Sequence, residues 1–261
     1  MSMHLTTWGT TGPRVVMVHG GPQGTDYGGE RHFAAQERLA ARGWQLVVPD
    51  RPGHGRTPSP GRPDDAELDG ELVAELLGDG AHLVGHSFGG AVALAAAARR
   101  PTAVRSLTLI EPAMALLAMA HPAVREQGMA LRELYTTPKS PAEVVAGFGK
   151  VVRIPPEVRG DTTPASLERM GQALPQLRLP TADVLTKELE TIKRAGIPLL
   201  VVSGGWSPAF DATCDEVARV GGGLGVVIPS EHHFPNLVSD EFNDVLADFM
   251  TTADAKSARA T

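Results

Sequence analysis

Short apolar runs rich in valine, isoleucine and leucine alternate along the chain with longer alanine-rich or amphipathic segments. The runs predict strands over 15–19, 45–48, 82–84, 106–110, 199–202 and 225–228. The segments between and after them predict helices near 30–41, 65–77, 88–99, 210–220 and 240–250. Because the runs are apolar at successive positions, we expect the strands to be buried on both faces. The pattern predicts an α/β fold, with a mostly parallel sheet that helices cover on both faces.

The alternation breaks over 112–195, where prolines punctuate several helical stretches and no convincing strand pattern occurs. We interpret this stretch as an inserted helical cap, and 1–111 together with 196–250 as the core. The small, polar end at 251–261 predicts a flexible tail. An insertion after a strand lies where open α/β sheets bind ligands. Apolar cap residues that could line a pocket there are Met114, Leu116, Leu117, Met119, Met129, Leu131, Leu134 and Phe148.

The composition narrows the classes of partner. The chain has 261 residues, 42% of them apolar, and a formal net charge of −6, which disfavours nucleic acid and anionic membranes. Cys214 is the single cysteine, so intrachain disulfides and cysteine metal clusters are excluded. The sequence carries no secretory signal and no apolar run of membrane-spanning length, which predicts a cytoplasmic protein. We expect a small-molecule substrate, and the sequence leaves open whether the chain forms a homo-oligomer.

The clearest chemical signal is Gly85-His86-Ser87-Phe88-Gly89, which stands between a predicted strand and an alanine-rich helix. A strand, a sharp turn and a helix are the context that a nucleophile elbow requires. Ser87 would project at the helix N-terminus, where the helix dipole and free amides favour developing negative charge. The alternative is that Ser87 only caps the helix.

Three further segments occur in the order found in the α/β-hydrolase superfamily, which the chain resembles. They are His19-Gly20-Gly21-Pro22, Asp50-Arg51-Pro52-Gly53-His54-Gly55-Arg56, and Glu231-His232-His233-Phe234-Pro235-Asn236-Leu237. The resemblance implies that Ser87 is the nucleophile and that the backbone amides of Gly21 and Phe88 form the oxyanion hole. It also implies that His233 is the general base, although His232 stands where the family usually has glycine. The Asp50–Arg56 loop is expected to brace the cleft.

The family's usual acid position, after the penultimate strand, holds Ser207 in place of aspartate. A carboxylate must still orient the imidazole of the base. Glu111 ends the strand after the nucleophile helix, at the sheet edge where active sites collect. The zearalenone lactone hydrolases, which this stretch resembles, place their acid at such a strand end. We therefore expect Glu111 to be the acid, with Asp211 or a dyad without an acid as the alternatives.

These residues predict a serine hydrolase that cleaves a carboxylic ester or lactone of a small, fairly apolar substrate through an acyl-enzyme. No cofactor and no metal are expected. Within enzymes, the alternatives are a C–C bond hydrolase, a perhydrolase or an amidase that uses the same triad. A non-catalytic homologue that only binds ligands is the alternative outside enzymes.

Overall fold

Within the residues that the computed structural model describes, 2–155, 158 and 162–260, seven strands form one sheet in the order β1-β3-β2-β4-β5-β6-β7. The strands are β1 (Leu5–Trp8), β2 (Arg14–Val18), β3 (Gln45–Pro49), β4 (Ala81–His86), β5 (Val104–Ile110), β6 (Leu199–Ser203) and β7 (Leu224–Val227). All neighbouring pairs are parallel except β1 and β3, which are antiparallel. The parallel strands therefore end at one common edge of the sheet.

Helices cover both faces of the sheet. They are α1 (Gly29–His32), α2 (Ala66–Leu76), α3 (Phe88–Arg99), α4 (Pro122–Thr136), α5 (Pro141–Val151), α6 (Pro164–Ala173), α7 (Ala182–Arg194), α8 (Pro208–Gly221) and α9 (Glu241–Ala260). Segments of 3₁₀ helix lie at Ala34–Arg42, Pro101–Ala103, Ala115–Ala118, Leu174–Gln176 and Pro235–Leu237.

The two faces of strand β2 show why its apolar run is continuous. Val16 and Val18 pack with α2, α3 and α7 in one core cluster, whereas Val15 and Met17 pack with α9 in another. Successive side chains of a strand point to opposite faces of the sheet. Since both faces are covered, every position of the strand interior must be apolar, and the predicted doubly covered α/β fold is confirmed.

The predicted strands all occur, four of them one to three residues longer and β2 and β7 shifted by one residue, but other elements differ from the sequence analysis. Strand β1, with only four residues at the sheet edge, was missed. The helix predicted at 30–41 is a single turn, α1, followed by the 3₁₀ segment Ala34–Arg42, because buried Phe33 leaves helical geometry at φ −114°.

The segment predicted as a flexible tail, 251–261, is helical in the part that the structure describes, since helix α9 continues to Ala260. Alanine, lysine and arginine favour helix in this stretch. The helix is also held to the sheet, because Arg105 Nε donates to Asp254 Oδ1 at 2.8 Å and Ala253 is buried. Thr261 lies outside the described residues.

The segment interpreted as a cap contains helices α4 to α7. Helix α7 packs on the body, however, because Leu185, Leu189 and Ile192 are buried in the same core cluster as strands β2 and β5. Helices α4, α5 and α6 contribute residues to the cavities beside Ser87, which follows β4 where the parallel strands end, and α7 returns the chain to the body.

Candidate active site

Ser87 lies in a sharp turn between β4 and α3. Its backbone has φ 55° and ψ −124°, a conformation that a residue with a side chain rarely adopts, and its amide donates to Ile110 O at 3.0 Å. The glycines on either side are required by close packing, since a Cβ on Gly85 would lie 2.4 Å from Gly89 O and one on Gly89 would lie 2.2 Å from Val18 O. The pentapeptide is thus a strained elbow between strand and helix, as predicted.

His233 follows β7 and is buried, and its Nδ1 is 2.6 Å from Glu111 Oε2. Ser87 and His233 line the same cavity. Within the described part of the chain, no hydrogen bond joins Ser87 Oγ to His233, and such contacts often tighten only when substrate binds. Burial lowers the pKa of the His233 imidazole, with the neighbouring His232 acting in the same direction. The neutral imidazole, which can accept a proton, is therefore favoured.

Glu111 directly follows β5 and its side chain is completely buried. Its backbone has φ 38°, and its amide donates to Val202 O of the adjacent strand β6. Oε1 accepts hydrogen bonds from Gly204 N at 2.8 Å and from Trp206 Nε1 at 2.9 Å. Burial raises the pKa of the Glu111 carboxyl, while these donors oppose that rise because they stabilise the ionised form.

Three residues considered near the acid and the base have other hydrogen-bond partners, namely Asp211, Ser207 and His232. Asp211 Oδ1 accepts from Gly205 N at 3.2 Å, in the first turn of α8. Ser207 is the N-cap of that helix and accepts from Phe210 N. His232 Nδ1 lies 3.2 Å from Ser230 Oγ. The structure thus brings Glu111 and His233 together, and none of these three residues takes part in that contact.

The loop after β2 lies against the nucleophile. A Cβ on Gly20 would lie 2.7 Å from Ser87 Cβ, so this position must be glycine. His19 Nδ1 donates to Gly20 O at 2.8 Å, and His19 Nε2 accepts from the Arg51 amide at 3.0 Å. Because N–H and C=O of one peptide point in opposite directions, the bond to Gly20 O also fixes the direction of the Gly21 N–H. The Phe88 amide, at the first position of α3, belongs to the amides that a helix leaves without an internal acceptor.

Arg51 braces this loop from below and is completely buried. Its Nη1 donates to Asp64 at 2.8 Å and to Asp69 at 2.9 Å, and its Nη2 donates to Gly21 O at 2.7 Å. The guanidinium also lies 4.6 Å from the centroid of the Phe88 ring. One buried cation therefore contacts both segments whose amides were predicted to form the oxyanion hole. This is consistent with the bracing expected of the Asp50–Arg56 loop.

A histidine pair that the sequence analysis did not connect supports the segment carrying the base. His86 Nε2 donates to His233 O at 2.6 Å, which leaves His86 Nδ1 to accept from His32 Nε2 at 2.8 Å. Burial lowers the pKa of both His32 and His86, so both rings are held neutral. The sequence contained one sign of this pair. His86 is an ionisable residue between Gly85 and Ser87, and a residue at that position of the elbow is expected to be buried.

The cavity next to Ser87 has a volume of about 660 Å³. Five of the eight cap residues predicted to line a pocket do so, namely Leu116, Met119, Met129, Leu131 and Phe148. The other three, Met114, Leu117 and Leu134, pack inside the protein. Helix α4 supplies much of the wall, with Tyr135, Arg125 and Arg132 beside the apolar residues. The site is mainly apolar and has the size typical of small-ligand pockets.

Among the described side chains, no group of three or more His, Cys, Asp or Glu residues is arranged to hold a metal ion, although several histidines lie close together. No helix in this part of the chain combines the length and the apolar character needed to cross a bilayer.

A model of the alpha/beta hydrolase family matches residues 15–245. The chain belongs to this family. Among curated proteins, it is 30% identical over 259 residues to the pimeloyl-[acyl-carrier protein] methyl ester esterase of Neisseria meningitidis serogroup A (strain DSM 15465 / Z2491), covering 91% of this chain and 76% of the esterase. It is 39% identical over 121 residues to lipase LipV of Mycobacterium tuberculosis, a match that spans 44% of each chain.

Solved structures agree on the alpha/beta hydrolase fold. A thermophilic esterase from Thermogutta terrifontis superimposes with a TM-score of 0.67 at 21% identity, covering 96% of this chain and 93% of the esterase. The esterase and lipase relatives support ester hydrolysis in general for this chain.

We predict that Gly89→Ala lowers the free energy of unfolding by about 2 kcal/mol or more, since the added methyl group would overlap two backbone carbonyls. Urea unfolding followed by circular dichroism measures the change. Gly128→Ala is the matched control, because a Cβ there meets no heavy atom of the described residues within 4 Å and alanine favours helix. Equal stability of the two variants would contradict the tight elbow.

Proposed function

We propose that this protein hydrolyses a carboxylic ester or lactone of a small, fairly apolar substrate through an acyl-enzyme. One observation carries the proposal. The strained Ser87 shares a cavity with His233, whose Nδ1 is bound to the buried carboxylate of Glu111. A serine, a histidine and an orienting carboxylate are what acyl transfer by a serine nucleophile requires.

In the first step, His233 Nε2 takes the proton of Ser87 Oγ while that oxygen attacks the substrate carbonyl carbon. Nδ1 keeps its proton because it donates to Glu111, and the imidazolium that forms is stabilised by the same carboxylate. His233 then gives the proton to the departing alkoxide, so the alcohol leaves neutral and the acyl group remains on Ser87.

The carbonyl oxygen becomes negatively charged during the attack. We propose that it accepts hydrogen bonds from the amides of Gly21 and Phe88. Arg51 favours this role because it holds both segments in place: it donates to Gly21 O and contacts the Phe88 ring. Donors that are already oriented toward the developing charge contribute a large part of the rate enhancement.

Water completes the cycle. His233 removes a proton from a water molecule, which attacks the acyl-enzyme and releases the carboxylic acid, while Ser87 Oγ recovers its proton from His233. In a lactone, the alcohol formed in the first step stays attached to the acyl group on Ser87, and the second step releases one hydroxy acid. The mainly apolar wall of the cavity supports an apolar acyl or alcohol part in either case.

We predict that a fluorophosphonate labels Ser87 and abolishes hydrolysis of a short apolar p-nitrophenyl ester, because the probe reacts with activated serine hydroxyls. Peptide mapping by mass spectrometry identifies the labelled residue. The control is Ser87→Ala, which should be neither labelled nor active. Ester turnover that survives this change would refute the assignment.

We predict that His233→Ala lowers kcat by at least ~100-fold, the scale of a general acid-base contribution, whereas His232→Ala keeps most of the activity. Steady-state kinetics on the same ester measure both. The two histidines are adjacent and differ in their partners, so the pair forms its own control. The opposite ranking would mean that His232 is the base.

We predict that Glu111→Gln lowers kcat by up to ~10⁴-fold, because the amide leaves the histidine without a partner that fixes its tautomer and stabilises its cation. Asp211→Asn should cost little, and both variants should keep their circular dichroism spectrum. An inactive Asp211→Asn enzyme together with an active Glu111→Gln enzyme would assign the acid to Asp211.

A further inference from the structure

The loop that follows β6 contacts the Glu111 carboxyl but contributes no acid of its own. Gly204 and Trp206 both donate to Glu111, whereas Ser207 only caps α8. Gly204 comes so close that a Cβ there would lie 2.9 Å from Glu111 Oε1 and 2.6 Å from Trp206 Cδ1. The loop is therefore shaped around the carboxylate.

The Trp206 indole is oriented by three contacts. Its N–H is shared between the two Glu111 oxygens, 2.9 Å from Oε1 and 3.2 Å from Oε2. Its ring lies 5.4 Å from the Phe210 ring, which in turn lies 4.4 Å from the His233 ring. On the cap side, the Arg153 guanidinium lies 5.1 Å from the indole centroid. The single polar atom of the indole thus points at the carboxylate.

We propose that Trp206 is a positioning residue that holds Glu111 in the orientation in which Oε2 binds His233. The inference rests on the proposed function, because it concerns the same histidine and acid. A carboxylate without water around it needs donors for the oxygen that does not face its histidine, and otherwise it rotates or takes up a proton. The Gly204 amide supplies one such donor and Trp206 the other, and only the second can be removed by a side-chain substitution.

A direct substrate contact is the rival role for Trp206. The described residues that line the cavity beside Ser87 do not include Trp206. A positioning residue changes the chemical step and leaves substrate binding alone, so its loss lowers kcat without raising KM. Comparing the change in kcat with the change in KM therefore distinguishes a positioning role of Trp206 from a substrate contact.

The test is Trp206→Phe, which keeps an aromatic ring and removes the N–H. We expect kcat to fall about tenfold, the scale of one hydrogen bond to a charged group, with KM unchanged. We also expect the acid limb of the kcat/KM profile to move to higher pH, because the carboxylate that loses a donor binds a proton more readily. That limb belongs to the coupled Glu111 and His233 pair. The variant keeps the titratable groups that, among the described residues, are seen to act on Glu111, namely His86, Asp211, Cys214, His232 and His233.

Two controls show whether Trp206 acts through Glu111. In the Glu111→Gln background, adding Trp206→Phe should change the residual rate less than twofold, because the charge that the indole stabilises is already absent. Trp44→Phe removes an indole that packs against His82, away from the site, and should leave the pH profile in place. Additive losses in the double variant, or the same pH shift in Trp44→Phe, would overturn the inference.

A wild-type rate and pH profile in Trp206→Phe would also overturn it, as would a raised KM with unchanged kcat. If thermal melting shows that Trp206→Phe is unstable, Arg153→Gln is the second variant, because it removes the guanidinium that packs on the Trp206 indole. The acid limb of its kcat/KM profile should shift in the same direction. An unshifted limb would count against the positioning role of Trp206. These failures are distinct from failure of the proposed function. In the latter case, the unaltered protein itself would neither hydrolyse esters nor be labelled at Ser87.

Discussion

A buried carboxylate must receive all its hydrogen bonds from the protein. Glu111 is such a group, so the residues around it must supply its donors. Its three partners come from two segments of the chain, His233 after β7 and Gly204 and Trp206 after β6. Since burial raises the pKa of this carboxyl, each lost donor would favour its neutral form, which orients an imidazole less well. The loops at this edge of the sheet are thus constrained by one buried group.

Backbone strain coincides with the same residues. Among described residues other than glycine, positive φ occurs at Ser87, Glu111 and Arg153. The first two directly follow adjacent parallel strands, β4 and β5, and the amide of each donates to the neighbouring strand's end, at Ile110 O and Val202 O. Such conformations persist only where the surroundings hold them in place, and the buried Arg51 network below the elbow provides rigid support. Two of these three positions therefore lie where adjacent parallel strands end, beside the proposed site.

The sequence was sufficient for the fold and for the residues that carry local signals. Strand burial, the elbow and an ionisable residue at the end of an apolar strand each follow from a short stretch of chain, and Glu111 could be singled out in this way. Trp206 could not, because donating to a buried carboxylate 95 residues away in the chain depends on tertiary structure alone. The same holds for His32 and His86, and for α7, whose amphipathic pattern suits a cap as well as a body.

The order of the strands places Glu111 beside the loop that follows β6. Strands β5 and β6 are neighbours, and Ile110 is paired with Val202, so their ends lie side by side. The loop after β6 therefore begins beside Glu111, which contacts His233. Once the carboxylate stands on β5, an aspartate after β6 would add a second buried charge of the same sign, which is costly. The loop after β6 instead supplies hydrogen-bond donors to the Glu111 carboxylate, from Gly204 and Trp206.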